Sequence, residues 1–389
     1  MPESAVKPKI KLSLRESIAR WWGGMDFSLL LAITVLCAFG LVMVFSASYY
    51  YAQRMGGATA HNPYYYLNKQ VQFLVVGYVI MLAVSAIDFR ILANLRWIIY
   101  LGSIALLIAC VLFGKTYNGA KRWLDIGPIQ LQPSEVAKFG LTIFMSAYMA
   151  KNRDRMAIPG LKKSGLIPML FTMLFIAGPI VLQPNVSMAG IIAIQGLIML
   201  FLGGTRKRWL VFLLGCGAAA FWLLTRTGYR AQRVGIFRNP FIDAQGSGYQ
   251  LVQSFYALAS GGWFGRGLNN SYQKLLYMTY AESDFIFPIL VEEFGLVGGI
   301  GVLFCYSWIF ARGVRSSLKV RDRFGSLLAM GISVVLGLQV FINIAVVTAL
   351  MPPTGQALPF ISSGGTSMLV FMAAMGVQLS ISREANLYE

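Results

Sequence analysis

The sequence predicts an all-α integral membrane protein of about ten transmembrane helices, with a long extracytoplasmic loop between the seventh and eighth. Three observations carry this reading. Only 12% of the 389 residues are charged and 57% are hydrophobic, whereas a soluble domain runs nearer a quarter charged. Apolar stretches of the length that crosses a bilayer, roughly 20 residues, recur along almost the whole chain. Basic residues gather between alternate stretches, as membrane insertion demands. The formal charge of +18 would also suit a nucleic-acid binder, but this placement assigns it to the membrane and excludes nucleic acid as the partner.

Taken in order, residues 1–26 form a polar cytoplasmic tail. The apolar run that follows is longer than the core of a signal peptide, so the first helix is expected to be retained. The stretches then fall near 27–47, 71–87, 97–113, 134–150, 166–182, 187–203, 208–225, 285–311, 326–350 and 366–382. In lipid their backbones must be satisfied internally, which makes them helices. With the N-terminus inside, 21 of the 33 Lys and Arg lie in the tails and alternate loops, among them Lys7, Arg90, Lys151, Arg206, Arg312 and Arg383. Both termini are then cytoplasmic, the membrane domain is 27–383, and 384–389 is a short tail. Cys37, Cys110, Cys216 and Cys305 each sit within an apolar run and show no CxxC spacing, so neither a disulfide framework nor a zinc site is indicated.

The outer loop, 226–282, alternates periodic apolar residues with Gly clusters and reads as short amphipathic interfacial helices. Arg226, Arg230, Arg233, Arg238, Arg266 and Lys274 outnumber Asp243 and Glu282 there, against the positive-inside trend. An external anionic ligand or simple headgroup contact would each account for them.

No P-loop, GxGxxG or Ser/His/Asp set is present, and His61 is the single histidine. A reaction here must bring its own activation, as a lipid-linked diphosphate sugar does. Catalysis then needs a carboxylate to take the acceptor's proton and cations to hold the departing diphosphate. Three outward segments offer such groups. Segment 119–138, GAKRWLDIGPIQLQPSEVAK, places Lys121 and Arg122 in an outer loop and puts Glu135 and Lys138 one turn apart, where i,i+3 spacing lets them face each other. That pair is either functional or a structural pin for the fourth helix. Segment 283–298, SDFIFPILVEEFGLVG, has Asp284 at the mouth and Glu292 about 12 Å deeper at 1.5 Å per helical residue. Asp284 can reach a water-soluble sugar, although Ser283 or Asp284 would equally serve as a helix cap. Pro288 moves the expected helix start towards 287. Segment 351–367, MPPTGQALPFISSGGTS, is uncharged, and its backbone either cradles phosphate or packs on neighbouring loops.

These three segments, with the outer-loop run GSGYQLVQSFYALASGGWFGRGLNNSYQKLLY, resemble the signatures of the SEDS proteins (shape, elongation, division and sporulation), the bacterial peptidoglycan polymerases. The GLxxSxQKxxY portion is similar to the FtsW/SpoVE branch. The resemblance implies glycosyl transfer on the outer face of the cytoplasmic membrane, joining lipid II units during septal or sporulation wall synthesis. It places the family's aspartate on Asp284 as general base for the GlcNAc 4-hydroxyl, with inversion at MurNAc C1 and departure of undecaprenyl diphosphate. Substrate contacts are expected from Lys121, Arg122, Glu135, Lys138, Ser363, Lys274 and the glutamine of the Val252-Gln253 pair. No organic cofactor is implied; a divalent cation such as Mg2+ or Mn2+ would fall to Asp284 or Glu135. The implied partner is a class B penicillin-binding protein transpeptidase, with other divisome proteins. The chain departs from the family pattern at Glu282, where a histidine is expected, at Asn185 (often Asp) and at Ser363 (often Tyr). A lipid II flippase and a non-enzymatic divisome scaffold are the competing readings.

Overall fold

The structure, a computed structural model, describes residues 24–54, 62–117, 120–127, 129–156, 158, 165–225, 235, 237, 239–246, 248–275, 277, 278 and 281–387. Residues 1–23 of the N-terminal tail, His61, Arg226, Arg230, Arg233 and Arg238 lie outside them.

Long helices occupy all ten predicted stretches: α1 (Phe27–Arg54), α2 (Tyr65–Ala86), α3 (Arg90–Phe113), α4 (Pro133–Lys151), α5 (Leu166–Leu182), α6 (Val186–Leu202), α7 (Lys207–Thr225), α9 (Ile286–Lys319), α10 (Arg323–Val347) and α11 (Gly365–Leu387), with the short α8 (Tyr249–Gly261) in the outer loop. Six of them (α1, α2, α3, α9, α10 and α11) are long and apolar enough to cross a bilayer. At 17 residues each, α5 and α6 are shorter but equally apolar.

Local chemistry explains the ends. Asp26 accepts from the Leu29 amide at 3.1 Å and so starts α1. Pro133 opens α4, where its missing N–H costs nothing, and Glu135 follows in the first turn, where the helix dipole favours an acid. Asn185 and Asp322 cap α6 and α10 through the amides of Met188 and Gly325. One end of the bundle is tied by ions: Arg312 near the end of α9 grips Asp26 at 2.7 Å, and Arg90 at the start of α3 meets Glu384 at the end of α11 at 2.5 Å.

The core is in two parts. The larger centres on α1, α9, α10 and α11, the smaller on α3, α4, α5 and α6. A small departure from the all-α expectation lies between α3 and α4: β1 (Lys115–Tyr117), β2 (Ala120–Ile126) and β3 (Ile129–Leu131) form an antiparallel meander. Gly127, at φ +62°, turns β2 into β3. The hydroxyl of Thr366 ties β3 to the head of α11 through the Gln130 carbonyl.

α9 is not continuous. Gly295 sits at φ 71°, ψ −175°, breaking it into an upper piece that ends at Phe294 and a longer lower piece.

Candidate functional site

At the end of the bundle away from the Asp26 and Arg90 ion pairs, residues 281–285 form a turn ahead of α9. Phe285 is the N-cap residue, and its side chain makes no capping hydrogen bond. Asp284 is therefore not the helix cap. It stays half-buried on irregular backbone, one residue outside the helix, close to where Pro288 moved the expected start. The Ser283 hydroxyl donates to its carboxylate at 2.8 Å. A Cβ added at Gly355 would stand 3.2 Å from the same carboxylate, so the left-handed glycine (φ +67°) lets the loop approach this closely.

The uncharged loop holds the turn in place. Ser363 N–H donates to the Glu282 carbonyl at 2.8 Å, and the Ser362 hydroxyl donates to the Ser283 carbonyl at 2.6 Å. The Asn343 amide of α10 donates to the carbonyls of Asp284 (3.0 Å) and Gln356 (2.7 Å). At these positions the loop packs on the turn, and Ser363 takes part through its backbone.

Glu282 is 7% exposed. Burial and, secondly, the neighbouring Asp284 charge push its carboxyl above the usual carboxylate range, opposed by a backbone hydrogen bond. Two acids two residues apart thus differ sharply in environment.

Glu135 and Lys138 do face each other, at 3.0 Å, with side chains 3% and 0% exposed. The Lys138 ammonium also donates to Gln339 Oε1 and lies 5.4 Å from the Phe371 ring centroid; Glu135 Oε2 accepts from Ser367 at 3.2 Å. This ammonium meets protein partners and not a solvent-open cleft. Gln339 completes the connection by donating to the Ala357 carbonyl at 3.0 Å. Gln339 and Asn343, four apart on α10, therefore join the α4 pair to the Asp284 turn. They were missed from sequence, although two amides at i,i+4 in an apolar span are a readable signal.

The remaining predicted residues lie elsewhere. Lys121 and Arg122 belong to β2, where Lys121 Nζ is 3.5 Å from the Val111 carbonyl and Arg122 donates to the Pro184 carbonyl at 3.1 Å. Position 252 is a buried valine of α8, and Gln253 beside it is half-buried. Lys274, expected to meet substrate, is instead enclosed: its ammonium bonds Glu293 (2.7 Å), Ser46 (2.9 Å) and Asn269 (2.6 Å). A basic residue on a long loop looks solvent-bound in sequence because the matching acid lies 19 residues away inside a helix.

For a divalent cation, Glu135 already commits its oxygens to Lys138 and Ser367, and no three His, Cys, Asp or Glu come together among the described residues. The residues present do not make a protein-only metal site, and no step is assigned to one.

The FTSW_RODA_SPOVE model, for a cell cycle protein, matches residues 27–387. The chain belongs to this family. It is 36% identical over 365 residues to a probable peptidoglycan glycosyltransferase FtsW of Trichlorobacter lovleyi, covering 92% of this chain and 93% of that protein. It is 32% identical over 361 residues to stage V sporulation protein E of Bacillus subtilis, covering 92% and 97%. Among solved structures, it is similar to a chain of a peptidoglycan synthase complex that coordinates polymerization and crosslinking (TM-score 0.75, 25% identity, 93% and 98% covered). It is also similar to the rod shape determining protein RodA of Thermus thermophilus (TM-score 0.67, 25% identity, 92% and 97% covered). Like these relatives it is a multi-pass membrane protein of the family, and the turn bearing Asp284 lies within the matched region.

Proposed function

We infer that this protein is a peptidoglycan glycosyltransferase that polymerises lipid II during septal or sporulation wall synthesis. The observation that carries the mechanism is a half-exposed carboxylate, Asp284, on a non-helical turn that α10 and the 351–364 loop hold in place.

In the proposed reaction the 4-hydroxyl of the acceptor GlcNAc attacks C1 of the donor MurNAc. Its proton passes to an Asp284 oxygen as the new C1–O bond forms, and the bond from C1 to undecaprenyl diphosphate breaks with inversion. The leaving diphosphate takes the bonding electron pair, and Asp284 then returns the proton to water. Arg122 and Lys121, on the meander, are the cations assigned to the diphosphate. Lys138 can join them only by exchanging Gln339 and Glu135 for the ligand; with those partners it fixes the head of α4 under the 356–357 backbone. Ser283 orients the Asp284 carboxylate. The proposed location is the bacterial cytoplasmic membrane, with both termini inside and Asp284 on the outer face. A class B penicillin-binding protein is the proposed partner, supported by the likeness to a complex that couples polymerization to crosslinking.

Purified protein given labelled lipid II tests this. Glycan strands are expected, and Asp284→Asn should lower their rate by about 10²- to 10⁴-fold, as loss of a general base does, with folding intact. Near-wild-type strands from Asp284→Asn would overturn the base assignment. Movement of lipid II across liposomes without polymer would favour a flippase, and neither activity would favour a scaffold.

A further inference from the structure

Residues 262–275 of the outer loop enter the break in α9. In an unbroken helix the amides of Leu296 and Val297 would bond the carbonyls of Glu292 and Glu293. Here Leu296 N–H donates to the Gly262 carbonyl (2.9 Å) and Val297 N–H to the Trp263 carbonyl (3.1 Å). The two carbonyls left over accept from Arg266 N–H (3.0 Å) and Gly267 N–H (2.9 Å). Both bonds of the helix ladder have been opened, and the loop satisfies all four ends. The fit leaves no room for side chains: a Cβ on Gly265 would lie 2.2 Å from the Glu293 carbonyl, and one on Gly295 2.3 Å from the Trp263 carbonyl.

Side chains reinforce the junction. The Glu292 carboxylate accepts from the Ser271 hydroxyl (2.5 Å) and from the amides of Tyr272 (3.0 Å) and Gln273 (3.3 Å). The Glu293 carboxylate pairs with Lys274 at 2.7 Å, both side chains fully buried, and Ser46 of α1 lies 2.7 and 2.8 Å from its two oxygens. The upper piece of α9 is therefore held by the outer loop and α1, and its first residue is two positions after Asp284. Apolar packing of the same volume would stabilise a fold as well as or better than a buried ion pair does, so what the pair adds is direction.

We propose that Lys274 and Glu293, with Ser46, are positioning residues that set the placement of Asp284 through the upper piece of α9. This rests on Asp284 as the base. Misplacing a reacting group by about 1 Å costs on the order of 10²-fold. In steady-state polymerisation by the purified full-length protein, Lys274→Met is expected to lower kcat by about that factor while KM for lipid II stays within about twofold. The double variant Lys274→Met/Glu293→Gln, which leaves no unpaired buried charge, should regain stability while its kcat stays as low as that of the single variant, because the pair that sets the geometry is still missing. A folded Lys274→Met with wild-type kcat, a loss confined to KM, or a double variant that regains wild-type kcat would overturn the proposal. If Lys274→Met does not accumulate, Ser46→Ala, which keeps both charges, is expected to lower kcat by about three- to tenfold for one lost charge-assisted bond. Wild-type kcat there would equally overturn it. Asp284→Asn assayed alongside separates the two ideas: full activity in that variant refutes the base assignment, whereas an inactive Asp284→Asn beside an unaffected Lys274→Met and Ser46→Ala refutes only the positioning role.

Discussion

At the residue scale, the site is organised by how differently its acids are buried. Glu282 is enclosed with a raised pKa, so the fold favours its protonated form. For such a group the stabilising contribution is complete below the ordinary carboxylate value, 4.5 here, and is lost as pH rises through the raised folded value. Glu282→Gln mimics the protonated state. The variant is expected to match the wild type at low pH and to become the more stable of the two as pH climbs above that window, in melting temperatures recorded across pH in detergent. A constant difference would contradict the assignment. Lys138 gives a second prediction. Replacing it by Met leaves Glu135 buried with Ser367 as its remaining side-chain partner among the described residues, a loss expected to cost about 3–5 kcal/mol of stability. Adding Glu135→Gln should recover much of that. Denaturation of the single and double variants checks both statements.

At the element scale, α9 decides the geometry. Its break needs a residue that tolerates φ 71° with backbone 2.3 Å from where a Cβ would lie, so Gly295→Ala combines strain with overpacking. A loss on the order of 3 kcal/mol is expected. Gly301→Ala is the control, since a Cβ there meets nothing within 4 Å. It should be neutral or slightly stabilising, by up to about 1 kcal/mol, as glycine is the weaker helix former. Equal melting temperatures for the two variants would remove the interlock from the account. The break was not legible in sequence. Gly295, Gly298, Gly299 and Gly301 look alike in a long apolar run, and only the loop backbone arriving at 262–267 singles one out. The meander was missed for a related reason: β1 and β3 have three residues each, too few to show a strand period, and their ladder exists only because α3 and α4 bring the ends together. The i,i+3 contact of Glu135 and Lys138 was legible because helix geometry alone supplies it.

At the scale of the whole molecule, ion pairs lash helix ends together at one end of the bundle and loops interlock at the other. Asp26 is 4% exposed and depends on Arg312 as its cation. Arg312→Met should lower stability by about 1–3 kcal/mol, the usual cost of leaving a buried acceptor short of its partner. Because the pair lies away from the Asp284 turn, kcat on lipid II should stay near wild type in the folded fraction. A selective fall in kcat would show that this end communicates with the site. The end bearing Asp284, where α10, the 351–364 loop, the 281–285 turn and the 262–275 segment meet, is where a change in one segment reaches the others.

The sequence alone determined the membrane class and the order and placement of the helices, which follow from properties that act along the chain: apolar length, charge alternation and helix period. Its motifs carried the resemblance to the family, and through that resemblance the assignment of the proposed chemistry to Asp284. Tertiary structure decided which charges are enclosed by protein partners. Lys274 turned inward, Gln339 and Asn343 became connectors, and α9 opened to admit a loop. Such choices depend on partners distant in sequence, and burying a charge or leaving a helix amide unpaired is affordable only where the fold delivers the matching group.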